Sequence, residues 1–203
     1  LQLLDDKFFT SPELALSSSD EAITTMARLA CAGADSAMGT LGAYDRAVIE
    51  TVQENEQSID MLADAVNNYL VRLSGHMEAD DNSVLLNYYL QCFSEFERIG
   101  DYAVNLTESA EELHARGAQF STTARQELAV LQGALHEIMG YAADAFTTRQ
   151  ARVARHIEPV EEVIDDLVET LRARHTRHLL DGKCTVYGGL GFLNSLTNIE
   201  RIA

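Results

Sequence analysis

The sequence has no tryptophan, only two prolines and only three cysteines, and each scarcity narrows the choice of fold. Because proline interrupts helices, two prolines in 203 residues leave room for long helices, which the abundant alanine, leucine and glutamate favour. Cys31, Cys92 and Cys184 are odd in number, widely spaced and without a CxxC pair. This pattern argues against a disulfide framework or a thiolate zinc site, and indicates small buried side chains in a reducing compartment.

Basic residues are also scarce, with 15 Lys and Arg against 32 Asp and Glu, which gives a net charge of −17. Such a chain is expected to repel nucleic acid and anionic lipid, and to favour cations or basic protein surfaces. No run of about 18 apolar residues predicts a membrane-spanning helix. The chain opens on Leu1 and stops in mid-motif at Ala203, so we expect it to be a piece of a longer protein.

Apolar residues spaced by three and four predict an all-α chain. Ser11-Pro12-Glu13 can start a short helix, and a capping box of Ser18 with Glu21 predicts a long helix from 18 to about 44. Pro159 is predicted at a first-turn position or at a kink of the fifth long helix. The remaining helices are predicted at about 46–75, 80–117, 121–146, 152–180 and from 186 onward.

Two acidic motifs occur twice, in the same order and at nearly the same spacing. Glu56-Gln-Ser-Ile-Asp60 returns as Glu161-Glu-Val-Ile-Asp165, and Glu97-Arg98-Ile99 returns as Glu200-Arg201-Ile202. This implies a duplicated unit of about 100 residues. The simplest assembly is two tandem three-helix bundles. We assign a lead-in to residues 1–17, the first bundle to 18–117, and the second, incomplete at its C-terminal end, to 118–203.

The repeated motifs place carboxylates one helical turn apart, where like charges repel by roughly 0.2–0.5 kcal/mol. On a helical wheel every pair flanks the apolar stripe on the same side, so acids of neighbouring helices can converge without being buried. Carboxylate oxygens suit Mg²⁺, Mn²⁺ or iron and are acceptable to Zn²⁺. The simpler alternative is a solvated acidic face. The candidate metal ligands are Glu56, Asp60, Glu97, Asp101, Glu161, Asp165 and Glu200.

Other motifs have simpler explanations. His175 and His178 are predicted to be a surface pair, and Glu111 with His114 has the spacing of a ferritin-like di-iron site but occurs only once. The glycines in 188–191 have no strand before them and no GKS/T after them, so they are predicted to allow close helix packing rather than phosphate binding. No Ser-His-Asp or Cys-His arrangement stands out, so we do not expect an enzyme.

The segment from Phe96 to Asn105, FERIGDYAVN, and the terminal NIERIA resemble the signature of PhoU proteins, regulators of phosphate uptake. The resemblance covers about 20–203 and implies two similar three-helix bundles with metal clusters, of iron or zinc, on E(D)xxxD motifs. It assigns to metal Glu56, Asp60, Glu97 and Asp101 in the first half, and Glu161, Asp165 and Glu200 in the second. The acid expected four residues after Glu200 lies beyond Ala203. Tyr102 replaces the family's histidine or similar residue, which keeps manganese and magnesium as alternatives.

The lead-in from Leu4 to Leu16 resembles the segment that joins the membrane part of bacterial Na⁺/phosphate symporters to an appended PhoU-like domain. This implies a metal-binding regulatory domain in the cytoplasm, attached to the inner face of the membrane through a transmembrane portion absent from the chain. The expected partner is a phosphate transporter, a sensor kinase or a second copy, and not nucleic acid. The alternatives are a free-standing PhoU-type regulator, a ferritin-like di-iron carboxylate protein and a plain helical scaffold.

Overall fold

The computed structural model describes residues 4–77 and 82–203, and its regular structure there is entirely helical. The all-α prediction is confirmed, as are the two three-helix bundles, formed by α1–α3 and by α4, α6 and α7. The predicted start of the third long helix at Asp80 and Asp81 lies outside the described residues. A 3₁₀ turn, Asp6–Thr10, precedes α1 Pro12–Gly42, α2 Arg46–Ser74, α3 Asn82–Ala115, α4 Thr122–Thr148, α5 Ala151–Ala154, α6 Ile157–Leu180 and α7 Val186–Ile202.

The capping box at Ser18 is a wrong prediction, because α1 runs unbroken from Pro12. Proline is well suited to the first helical position, where its missing N–H would have no partner within the helix. Farther along, the Ser19 hydroxyl donates to the carbonyl of Ala15 at 3.0 Å, so a buried serine is satisfied inside the helix. The serines of this segment therefore lie within a helix that they were expected to begin.

The predicted fifth long helix is divided into a single turn, α5, and the longer α6. Arg155 and His156 lie between them, and Pro159 occupies the first turn of α6. This is the first of the two positions expected for that proline. In a first turn the missing N–H costs no helical hydrogen bond, so the chain breaks before the proline and not at it.

Helices α1 and α3 belong to the first bundle but also pack against the second. A run of small buried residues on α1, including Ala30, Gly33 and Ala37, lets α3 approach closely, and a Cβ added at Gly33 would lie 4.0 Å from that of Ala103. Helix α4 packs along α1, and α7 packs along α3. As a result one apolar cluster continues from Leu106 of α3 to Phe192 of α7.

The glycine of the FERIGD motif sets the contact between α2 and α3. Gly100 is buried, and an added Cβ would lie 3.1 Å from Ile59 Cδ1 and 4.0 Å from Glu56 Cγ. The two helices therefore approach each other closely at the position where the acidic residues of both lie.

We expect Gly100→Val to lower the free energy of unfolding by about 1–3 kcal/mol, because the branched side chain overpacks this crossing. Gly39→Val is the matched control, since nothing lies within 4 Å of a Cβ added at that exposed helical glycine. It should be neutral or slightly stabilising. Urea denaturation of both variants measures the difference, and an equal effect at the two positions would contradict the close crossing.

Candidate metal site

Three of the predicted ligands converge on the outer face of the α2–α3 contact. One carboxylate oxygen each from Glu56, Asp60 and Asp101 lies within 4.8 Å of the other two. Glu56 is half-buried, whereas Asp60 and Asp101 are exposed. Two carboxylates come from one turn of α2 and the third from α3, so a cation held there would contact both helices.

Burial and the charges of neighbouring acids make it costly to ionise several carboxyl groups at this cluster, so their pKa values are raised. Partial burial, followed by the charge of Asp60, raises the pKa of Glu56 and of Asp101 above the usual carboxyl values. Burial also raises the pKa of Glu97, and the charges of Asp60, Asp101 and Asp64 raise it further. Glu97 is thus an electrostatic neighbour of the cluster, although it is not one of the three converging groups.

Asp64 is a neighbour that the sequence analysis missed. It lies on α2 one turn after Asp60, and its charge acts on Glu97. The signal was present in the sequence, because Glu56, Asp60 and Asp64 form a row with a spacing of four. The row was overlooked because the repeated motif ends at its second acid.

Within the described part of the chain, these negative charges are not paired with basic side chains. Among the ion pairs of residues 4–77 and 82–203, none involves Glu56, Asp60, Glu97 or Asp101. Carboxylates that repel one another and have no basic partner are stabilised most when a divalent cation binds between them. The donor set therefore fits a hard metal ion.

The predicted ligands of the second bundle are arranged differently. Glu161, Asp165 and Glu200 are all exposed, and they do not form a group whose ligand atoms lie within 4.8 Å of one another. Glu200 instead accepts a hydrogen bond from Arg172 Nη2 at 2.8 Å. The two halves of the duplicated motif thus differ in their surroundings although their acids match in sequence.

None of the histidines in the described residues belongs to the acidic cluster. The surface-pair prediction is wrong for His175, which is buried, stacks on Phe192 at 3.7 Å and has its Nε2 2.8 Å from Glu127 Oε2. His114, expected to be a weak di-iron candidate, stacks on Tyr44 with ring centroids 3.8 Å apart. In the described part of the chain no histidine joins a group of three metal-ligating side chains, so the ferritin-like alternative gains no support.

The glycine-rich segment and the cysteines have structural roles. A Cβ at Gly189 would lie 2.9 Å from Leu179 Cδ1, and one at Gly191 would lie 3.5 Å from Leu113, which confirms close packing as the reason for the glycines. The three cysteines are free and half-buried. Burial raises the pKa of the Cys31 thiol to about 11, so this group is an inert thiol at neutral pH.

Comparison with known families now identifies the first bundle, because residues 23–110 match the PhoU domain family. This part of the chain is similar to the PhoU domain. No curated protein sequence matches the chain. The matched residues include all four acids of the first bundle, and the second bundle lies outside the match.

Solved PhoU structures extend the likeness to both bundles. PhoU from Pseudomonas aeruginosa superposes with a TM-score of 0.86 at 20% identity, covering 92% of this chain and 89% of that one. The phosphate transport system regulatory protein PhoU from Streptococcus pneumoniae gives a TM-score of 0.83 at 18% identity, covering 95% and 89%. The fold of the whole chain is therefore the PhoU fold, as the FERIGD motif predicted.

The raised carboxyl pKa values of the first bundle predict a pH dependence of stability in the absence of metal. Because Glu56, Glu97 and Asp101 bind protons more readily folded than unfolded, they add stability as the pH falls. The gain is complete below the ordinary values of 4.5 for Glu and 3.8 for Asp, and it disappears as the pH rises through the raised values.

A neutralised variant, Glu56→Gln/Glu97→Gln/Asp101→Asn, isolates this contribution from that of the other carboxylates. With chelator present we expect the variant to melt above the wild type near neutral pH, and the difference to shrink on acidification toward pH 4.5, the ordinary Glu value. Thermal melts by circular dichroism across this range measure it. A difference that stays constant with pH would show that folding does not raise the pKa values of these three acids.

Proposed function

We propose that this chain is a PhoU-type regulator of phosphate transport, that it acts through protein contacts rather than catalysis, and that its first bundle binds a metal ion. The PhoU domain at residues 23–110 and the PhoU fold of both bundles support the regulatory part of the proposal. The convergence of Glu56, Asp60 and Asp101 supports the metal-binding part and is the observation on which it depends.

The metal would be held by these three carboxylates, with Glu97 and Asp64 adding negative charge beside them. Bound there, the cation would supply positive charge. With the cation bound, the acids of α2 would no longer repel the acid of α3, and the contact between the two helices at Gly100 would be fixed. Iron or zinc follows from the family resemblance, while the all-oxygen donor set also suits manganese and magnesium.

The comparisons favour the free-standing form of the regulator over a domain appended to a symporter. Both superposed structures are PhoU proteins, and the chain spans 89% of each. The lead-in that resembled a symporter linker packs onto the first bundle, where Tyr69 donates to the carbonyl of Asp5 at 3.2 Å and Arg72 pairs with Asp6. Among the described residues no helix combines the length and apolarity needed to cross a bilayer.

The partner we propose is a phosphate transporter, contacted from the cytoplasmic side, with a sensor kinase or a second copy as further partners. The net charge of −17 favours basic surfaces on that partner. Binding of a cation on the acidic face would lower the local charge, so partner binding at that face is proposed to depend on metal occupancy.

Two measurements test the two parts separately. Elemental analysis of the purified chain, before any chelator treatment, should find iron, zinc or manganese, and Asp60→Asn/Asp101→Asn should lose it. In a bacterial strain lacking its own PhoU, expression of the chain should restore control of phosphate uptake, followed with radiolabelled phosphate. A metal-free wild type would overturn the metal site, and unchanged uptake would overturn the regulatory role.

A further inference from the structure

We propose that a cavity at one end of the molecule binds a small organic anion. The cavity lies between the C-terminal ends of α1 and α3 and the first turn of α4, and its volume of about 300 Å³ is at the lower end of the range usual for small-molecule sites. A phosphate or carboxylate group of the ligand would contact Arg125, and a planar apolar part would pack against the rings of Tyr44 and His114. No ligand of the proposed metal site lines this cavity, so the inference does not depend on that site.

The charge of the cavity lining differs in sign from the charge of the chain. Although the chain has 32 acidic residues, the described residues that line this cavity include none of them. Arg125 supplies a permanent positive charge, and His114 becomes positive when it is protonated. The cavity therefore attracts anions, although the net charge of the whole chain is −17.

Arg125 is exposed and has no acidic partner, since no ion pair within residues 4–77 and 82–203 includes it. The arginines of two other cavities are placed differently. Arg149 is held by Asp20, and the groove that Arg28 lines is also lined by Asp35. The guanidinium of Arg125 is therefore free to bind a ligand, and its planar fork suits two oxygens of a carboxylate or phosphate.

The acids that flank the lining in sequence have partners of their own. Asp45 caps α2 by accepting hydrogen bonds from two backbone N–H groups at 2.9 and 3.3 Å. Glu112 pairs with Arg116 at 2.9 Å, and the charge of Glu111 acts on Arg46. These acids therefore compete little with a ligand for the cavity arginine.

The remaining lining suits a planar apolar group. Its apolar residues include Leu41, Leu113 and Phe120, all of them buried. At the exposed side the rings of Tyr44 and His114 stack with their centroids 3.8 Å apart and their planes 3° from parallel. Because aromatic groups pack well against such rings, this wall favours a ligand with a flat ring over a bare inorganic anion.

The position of the cavity gives ligand binding a structural consequence. Tyr44 and His114 belong to the first bundle, whereas Arg125 lies on α4 of the second. An anion that contacts all three would therefore stabilise the contact between the two bundles.

Titration of the full chain with three naphthalene probes tests the inference. The probes 1-naphthyl phosphate, 1-naphthoate and neutral 1-naphthol share one ring system and differ in the head group. Because the chain has no tryptophan, naphthalene fluorescence can be followed without indole emission. We expect both anions to bind at least about tenfold more tightly than 1-naphthol, as is usual when a charge-assisted hydrogen bond is gained. The anion that binds more tightly identifies the preferred head group.

Two variants and their matched controls locate the binding. Arg125→Gln should bind the two anions about tenfold more weakly and leave 1-naphthol unaffected, whereas Arg155→Gln, at an exposed arginine outside the cavity, should bind all three as the wild type does. Tyr44→Ala should weaken the binding of all three probes. Tyr141→Ala, whose ring stacks on His156 outside the cavity, should weaken none. Circular dichroism establishes that each variant is folded.

Three results would overturn the inference: 1-naphthol that binds as tightly as the anions, Arg125→Gln that binds the anions as the wild type does, or inorganic phosphate that displaces 1-naphthyl phosphate at equal concentration. In the last case the apolar part would contribute nothing. A preference for the anions that is lost in Arg125→Gln and kept in Arg155→Gln supports the site. These results are independent of the metal content and of phosphate uptake, so the proposed function is tested separately.

Discussion

Metal ion at a hundredfold excess over its dissociation constant is expected to raise the free energy of unfolding of the wild-type chain by about 2.7 kcal/mol, and not to stabilise Asp60→Asn/Asp101→Asn. The reason is that the cation binds the converged carboxylates only when α2 and α3 are packed together. Urea denaturation with and without Mn²⁺ measures the effect, at concentrations chosen from a Mn²⁺ binding titration of the wild-type chain.

The same variant should behave in the opposite way without metal. Because its amides no longer repel Glu56 and Glu97, it should be more stable than the wild type in chelator, so the order of the two proteins reverses when metal is added. The control is Glu161→Gln/Asp165→Asn, which removes two exposed acids of α6 at the same spacing and should keep the full metal effect. Equal stabilisation of the wild type and of Asp60→Asn/Asp101→Asn by metal would mean that these acids form a solvated face and not a metal site.

The second large effect is expected in the shared core. Phe192→Ala should lower the free energy of unfolding by about 3–5 kcal/mol, the usual range for removing a buried ring. The side chain is 1% exposed, stacks on His175 at 3.7 Å and meets Phe120 edge-on at 5.5 Å. Its removal leaves a cavity where α3, α4, α6 and α7 are joined in one apolar cluster.

Leu190→Ala is the matched control for this prediction, because Leu190 lies on the same helix and is 48% exposed. It should cost much less than Phe192→Ala in the same urea titration. A similar loss in the two variants would mean that α7 is stabilised by its helix propensity and not by the buried ring.

The sequence was sufficient for features that depend on periodicity. The row of apolar side chains on α2, with Ile59, Val66 and Leu70 buried, follows the predicted stripe. The acids beside that stripe lie at the helix contact for the same reason. Because a wheel diagram fixes the angle of each side chain about its helix, convergence of Glu56 and Asp60 with Asp101 could be expected before any coordinates were known.

Features that depend on a partner distant in sequence could not be predicted in the same way. Glu127 and His175 are 48 residues apart, and Arg172 and Glu200 are 28 apart. Neither pair forms a motif, and the local sequence around His175 reads as an exposed, basic helix end. Only the packing of α4, α6 and α7 determines that His175 is buried and that Glu200 pairs with Arg172.

The apolar cluster shared by the two bundles has a consequence for how the halves can be studied. A polypeptide that ended after α3 would leave Leu106 and Leu113 without the covering that α7 provides, and one that began at α4 would expose Leu135 and Phe192. Although the acidic motifs of the sequence are repeated, the two bundles share this apolar cluster. Neither copy is an excisable module, and a truncation made between them would cut through the middle of the core rather than along a boundary.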